Sequence, residues 1–213
     1  MKVSELEAAV GGLSQTSKMP CPSWSISARR CKVGSKLATV KGTICEDCYA
    51  LKGMYVFGNV QAALERRWEA YDENPDAWIV NMSELINRKK LAFFRFFDSG
   101  DLQSVEMLEA IVRVARACHS TRFWLPTKEL AIVRRWLDLG NAIPDNLTIR
   151  LSAYIRDRMP PHNLTIGTLP CSTVTDQAAP IGYACPSKDQ GNKCADCRAC
   201  WDKSVSVVSY YWH

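Results

Sequence analysis

Lys90-Leu-Ala-Phe-Phe-Arg-Phe-Phe-Asp-Ser-Gly-Asp101 carries the clearest fold signal in the chain. The dense apolar run from Lys90 to Phe97, broken by Arg95, reads as a buried strand of the kind parallel sheets use. It ends in the sharp polar turn Asp98-Ser99-Gly100-Asp101. A helix is expected next, from about Ser104 to Cys118, with Val105, Leu108, Ile111, Val112 and Ala115 on its inner face. Arg122 to Leu125 is the following strand, and Pro126-Thr127-Lys128 leads into a helix through Leu139 that Gly140 stops. Leu147 to Leu151 and Asn163 to Ile166 are further strands. Upstream, Pro22 to Ile26 is a first strand. A helix from Gly58 to Tyr71 carries Val60, Ala63, Leu64 and Trp68 on one face. Another starts at Pro75 and carries Trp78, Met82, Leu85 and Ile86. Strand–helix–strand order of this kind predicts an α/β fold with a mainly parallel sheet, resembling a partial βα barrel.

Such sheets bind ligands at the carboxyl ends of their strands. Those ends are Asp98 to Asp101, Pro126 to Glu129, and Ser152-Ala153-Tyr154, and all three are polar. Asp98, Asp101 and Lys128 are the candidate catalytic residues. Ser99, Gly100, Ser152 and Tyr49 are the candidate cofactor-binding residues. Gly100 permits close backbone approach. The competing reading is local: Ser99, Asp101 and Thr127 are good helix caps, and a lysine placed like Lys128 is more often a surface charge at a helix start than a Schiff-base or phosphate-holding residue. Arg95 and Arg150 fall inside strands, where a buried guanidinium needs either a carboxylate such as Asp98 or Asp101 or an anionic substrate.

The chain has 10 cysteines in 213 residues. Four lie near the C-terminus, with Cys194, Cys197 and Cys200 in two consecutive C-x2-C steps and Cys185 upstream. Consecutive steps of this kind are an iron–sulfur pattern more than a zinc one. Cys21, Cys31, Cys45 and Cys48 form an N-terminal group. Cys118 ends a helix and reads as a buried apolar residue, while Cys171 is an alternative to Cys185 as a ligand. Met1 to Val10 carries Lys2, Glu5 and Glu7 rather than an apolar export segment. The thiols are therefore expected to meet a reducing cytosol and to bind metal rather than pair as disulfides. One or two [4Fe–4S] clusters are expected, including a variant in which cysteines from both ends share one cluster. Two parts are expected: an α/β core over residues 1–170, and a cysteine-rich metal-binding segment over residues 171–213 packed on it.

Hydrophobic residues make up 47% and charged residues 23% of the chain, and the net charge is +5. No apolar run approaches the ~20 residues that span a bilayer, so no membrane partner is expected. The mild positive charge permits contact with a nucleotide, a phosphate or a nucleic acid. His119 and His162 lack ligand-spaced neighbours and read as structural. Tyr210, Tyr211 and Trp212, ahead of the terminal His213, read as a docking stripe.

The order strand, cysteine-bearing loop, helix, strand with polar end resembles the radical S-adenosylmethionine superfamily. That resemblance implies a [4Fe–4S] cluster on three loop cysteines, with an open iron that takes the amino and carboxylate groups of S-adenosylmethionine. It maps the methionine amino contact onto Asp98 to Asp101 and a further polar contact onto Ser152. The step here is Cys31-x13-Cys45-x2-Cys48, wider than the usual C-x3-C-x2-C, and Tyr49 follows rather than precedes the last cysteine. A second resemblance covers nearly the whole chain. Lys18-Met-Pro-Cys21-Pro, Cys45-Glu-Asp-Cys48-Tyr-Ala, Phe96-Phe-Asp-Ser-Gly-Asp101, Phe123-Trp-Leu-Pro-Thr-Lys128, Leu147-Thr-Ile-Arg-Leu-Ser152 and Gly191-Asn-Lys-Cys194 through Cys200-Trp201 are similar to a family of tailed-bacteriophage proteins named after a mycobacteriophage gene product 88. It implies a setting in the bacterial host cytoplasm and names no reaction.

Together these readings predict an iron–sulfur enzyme acting on a small molecule or nucleotide. The alternative is a non-catalytic metalloprotein, either an electron carrier or a zinc protein that contacts nucleic acid or a protein partner.

Overall fold

The computed structural model describes residues 1–161 and 167–212. Its helices are α1 (Val3–Ala9), α2 (Lys32–Leu37), α3 (Gly58–Asp72), α4 (Pro75–Arg88), α5 (Val105–Ala117) and α6 (Leu130–Asp138). Its strands are β1 (Ser23–Trp24), β2 (Phe93–Phe96), β3 (Arg122–Thr127), β4 (Leu147–Ser152), β5 (Cys171–Thr175), β6 (Tyr183–Ala184) and β7 (Val207–Tyr211). The strands form one seven-stranded sheet in the order β1-β2-β3-β4-β5-β7-β6, and every neighbouring pair is parallel. The first five strands therefore lie side by side in chain order, with β1 and β6 as its edges. Parallel neighbours need long crossovers. Here α3 and α4 connect β1 to β2, α5 connects β2 to β3, and α6 connects β3 to β4.

Local chemistry starts and stops these helices where the sequence places the signals. Pro75 occupies the first turn of α4, and Asn74 Oδ1 accepts the Ala77 N–H at 3.0 Å. Ser104 caps α5 by accepting the Met107 N–H at 3.1 Å. Past α6, Gly140 sits at φ +84°, a left-handed turn that glycine adopts without cost.

The two faces of the sheet have different covers. Phe94, Phe96, Phe123, Leu125, Leu147, Ile149 and Leu151 pack with the inner faces of α4, α5 and α6 in the main core. Alternate residues point the other way. There Trp124 and Phe93 meet Cys21, Cys200, Trp201 and Val208. Trp201 anchors this second layer: its Nε1 donates to the Phe94 carbonyl at 2.9 Å, and its own carbonyl accepts from Thr148 Oγ1 at 2.9 Å. The stretch after residue 171 thus supplies three strands to the sheet and also folds back over its face.

Several boundaries differ from expectation. Lys90 at φ +50° closes the turn after α4, so β2 begins only at Phe93. β3 runs on through Pro126 to Thr127. Its pairing with β2 stops at Arg95–Trp124, so the missing Pro126 N–H lies past the last β2 contact. The strand expected at Asn163 to Ile166 lies outside the described residues, as do His162 and His213. β4 pairs with β5, through Leu151–Cys171 and Ser152–Ser172.

Candidate metal and ligand site

β2 ends in backbone strain. Phe97 has φ +58°, a conformation that costs a non-glycine residue roughly 1–2 kcal/mol. Both Phe96 and Phe97 consequently face the helices, and the chain turns so that Asp98 enters a polar pocket. Phe97 is held by its N–H on the Trp24 carbonyl at 2.9 Å and by Arg95 Nη2, which donates to its carbonyl at 3.0 Å. The Asp98 carboxylate accepts from Ser23 Oγ at 2.8 Å, from Tyr55 Oη at 2.7 Å, and from Ser25 Oγ. Tyr49 Oη donates to the Asp98 carbonyl. Burial alone would raise this carboxyl, but Arg95 and the hydroxyls of Ser25, Tyr55 and Ser23 outweigh it and hold Asp98 below its ordinary value.

Gly100 is required by contact as well as conformation. At φ +77°, a Cβ here would meet the Ile26 side chain at 2.5 Å and the Ile26 carbonyl at 2.7 Å. Asp101 accepts from Thr127 Oγ1 at 2.6 Å, the Lys128 N–H at 2.8 Å and its neighbour's Leu102 N–H at 2.8 Å. Burial pushes its carboxyl up to about 6 despite those bonds. Asp98 and Asp101 thus each tie strand ends together. Ser99 is different: its Oγ is buried without any hydrogen-bond partner. Ser152, at the end of β4, meets Ser172 Oγ at 3.2 Å.

The loop between β1 and α3 brings three cysteines to these strand ends. Its path is fixed by the Val33 N–H on Glu129 Oε1 at 2.7 Å and the Ile44 N–H on the Tyr154 carbonyl at 2.9 Å. Tyr154 Oη in turn donates to the Lys128 carbonyl at 2.9 Å. Gly34, inside α2, explains how two sulfurs fit. A Cβ on Gly34 would press on Cys31 Cβ at 3.0 Å and lie in ordinary contact with Cys31 Sγ at 3.6 Å and Cys45 Sγ at 3.7 Å, between the two sulfurs. Burial raises the Cys31 thiol, the charges of Asp101, Cys48 and Cys45 raise it further, and Lys128 opposes them. Cys31, Cys45 and Cys48 therefore share one neighbourhood with Asp101 and Lys128.

Cys21, near these three in sequence, lies apart from them in the fold. It packs with Cys200 and Trp201, and Cys185 lies against the same cluster. The Cys194 N–H donates to the Lys18 carbonyl at 2.9 Å, which draws the C-terminal loop onto the Cys21 segment. Tyr210 Oη lies 3.1 Å from Cys200 Sγ, and Tyr183 Oη lies 3.5 Å from Cys197 Sγ. Burial pushes the Cys21 and Cys200 thiols up to about 12, so neither is a nucleophile at neutral pH. Cys171 faces the helix side of the sheet and bonds the Leu169 carbonyl, which removes it as a substitute for Cys185. Cys118 is a core residue, bonded to the Ser83 carbonyl. His119 is exposed.

The in-strand arginines also depart from expectation, for neither makes an ion pair with Asp98 or Asp101. Arg150, fully buried, donates to four carbonyls: Cys171 and Val205 through Nη1, and Ala199 and Asp202 through Nη2, all at 2.9–3.0 Å. It is a clamp for the loop after Cys200. Arg95 stacks on Trp124 at 4.3 Å, and its Nε is buried without a partner. Its charge acts on Asp98 on one side and on Cys21, Cys194 and Cys200 on the other.

All ten cysteines are free thiols. Among the described residues, no group of three or more His, Cys, Asp or Glu side chains is arranged so that it could hold a metal ion. No helix among them is long and apolar enough to cross a membrane. No curated protein and no solved structure matches the chain. The profile of the gene product 88 family matches residues 2–203, so the chain belongs to that phage family.

Proposed function

We propose that this member of the gene product 88 family is an iron–sulfur enzyme, similar in its working parts to the radical S-adenosylmethionine enzymes. The observation that carries the reading is the gathering of Cys31, Cys45 and Cys48 beside Asp101 and Lys128, at the carboxyl ends of β2 and β3 in a parallel sheet. Three thiolates on a four-iron cluster leave one iron free for a small molecule. The space kept open by Gly34 and the orphaned Ser99 Oγ suit this set to a cluster and an adjacent polar ligand. A cluster at this site supplies an iron that a substrate or S-adenosylmethionine can bind.

The protein's own residues would position that ligand. Ser99 offers an unpaired hydroxyl, Gly100 allows the backbone to approach, Tyr49 walls the site, and Ser152 adds a hydroxyl from β4. Lys128 counters the negative charge of thiolates and of Asp101. A nucleotide or modified base is the substrate class that best suits the net charge of +5 and a phage setting. The reducing host cytoplasm is where such clusters persist.

Anaerobic purification with iron and sulfide quantitation, then EPR of the reduced protein with and without S-adenosylmethionine, tests the reading. The expected result is about eight iron and eight sulfide per chain, with one EPR component shifted by S-adenosylmethionine. Zinc without sulfide would overturn it.

A further inference from the structure

We infer that Cys21 is a ligand of the C-terminal centre, so that one metal–sulfur site joins the segment before β1 to the loop between β6 and β7. This deepens the reading of the thiols as metal sites and rests on it. Sequence spacing assigns Cys185, Cys194, Cys197 and Cys200 to one centre and places Cys21 more than 160 residues away. The fold reverses that separation. Cys21 shares a buried cluster with Cys200 and Trp201, against which Cys185 packs, and a backbone bond of 2.9 Å from Cys194 to Lys18 holds the two segments together.

Charge supports the same conclusion. Arg95 stands in the sheet face beneath these thiols, its Nε buried and unpartnered, with no carboxylate in ion-pair contact among the described residues. Asp98 offsets part of that charge from one side, and an anion on the thiol side would offset more of it. Cys21 with three of the four C-terminal cysteines makes a centre of four thiolates, which is such an anion. Each thiol that binds gives up its proton to solvent as the sulfur–metal bond forms. The site thereby fastens the outer layer of the sheet across its β2–β3–β4 face. Tyr210 and Tyr183, already at hydrogen-bond distance from Cys200 and Cys197, are placed to donate to bound sulfur.

The test compares Cys21→Ala, Cys197→Ala, Cys31→Ala and Cys118→Ala in the full chain, purified anaerobically, with circular dichroism to confirm folding. Iron and sulfide in Cys21→Ala are expected to fall to about half of wild type, with the same EPR component missing as in Cys197→Ala. Cys31→Ala loses the other component, and Cys118→Ala loses neither. In Cys21→Ala, the loop of residues 185–201 also becomes protease-sensitive although its own four cysteines are intact. If wild type carries zinc instead, the enzyme reading fails, yet this inference is still decided: loss of zinc in Cys21→Ala supports it. Wild-type metal content in Cys21→Ala, whichever metal is present, overturns it, and a wild-type chain that binds neither metal overturns both.

Discussion

Gly34 and Gly100 show how single residues carry the site. Replacing a helix-interior glycine by alanine ordinarily stabilises the helix by roughly 1 kcal/mol. In Gly34→Ala the new methyl would press on Cys31 Cβ at 3.0 Å and fill the gap between two sulfurs. We expect an apo-protein at least as stable as wild type but with lower iron loading, measured by thermal unfolding and iron per chain. Gly100→Ala has no such latitude, because the methyl meets the Ile26 backbone and the φ is left-handed. A loss of about 3 kcal/mol or more is expected in denaturant unfolding. Asp98 is a third case. Its folded pKa lies below the unfolded value, so its contribution is present above about pH 4 and is lost as pH falls through the folded value. Asp98→Asn should lower stability at neutral pH and flatten the loss of stability below about pH 4, read from urea midpoints across that range. The Phe97 strain has no sequence signal, since it depends on atoms distant in the chain, such as the Trp24 carbonyl.

Among the elements, β2 to β4 and the helices between them follow from apolar periodicity and caps, and the structure differs from the expected spans mainly at their ends. α1, α2 and β5 to β7 were not legible. α2 has no buried residue of its own, and β5 is the short polar run Cys171-Ser-Thr-Val-Thr175. Their stability comes from what they dock on. The loop of residues 199–205 is the clearest example, since Arg150 holds it by three carbonyl bonds and ties it to β5 by a fourth, to Cys171. Arg150→Met leaves those carbonyls unpaired, and a cost of about 3 kcal/mol or more is expected. Arg150→Lys should not restore it, because an ammonium cannot reproduce the planar fork. Denaturant unfolding and protease cleavage at residues 199–205 would check both.

For the whole molecule, the sheet is a partition. Helices and a continuous apolar core cover one face, and the cysteine-rich layer covers the other. If the thiols hold metal as proposed, the two layers should respond differently to its removal. Chelation under reducing conditions is expected to leave most of the far-ultraviolet dichroism, because α4 to α6 pack without the thiols. The same treatment should expose residues 185–201 to protease. Loss of the helical signal together with the loop would show that the metal supports the core itself.

The sequence by itself determined the α/β class, the polar strand ends and the likeness to the phage family, because these are encoded in local periodicity and in short motifs. It also singled out the thiols, because cysteine spacing of this kind is rare by chance. Only the tertiary structure decided how the thiols group, what Arg95 and Arg150 face, and that β5 neighbours β4. Those outcomes depend on contacts between segments separated by tens of residues or more, and such contacts are selected by packing and charge in the folded chain rather than by local sequence.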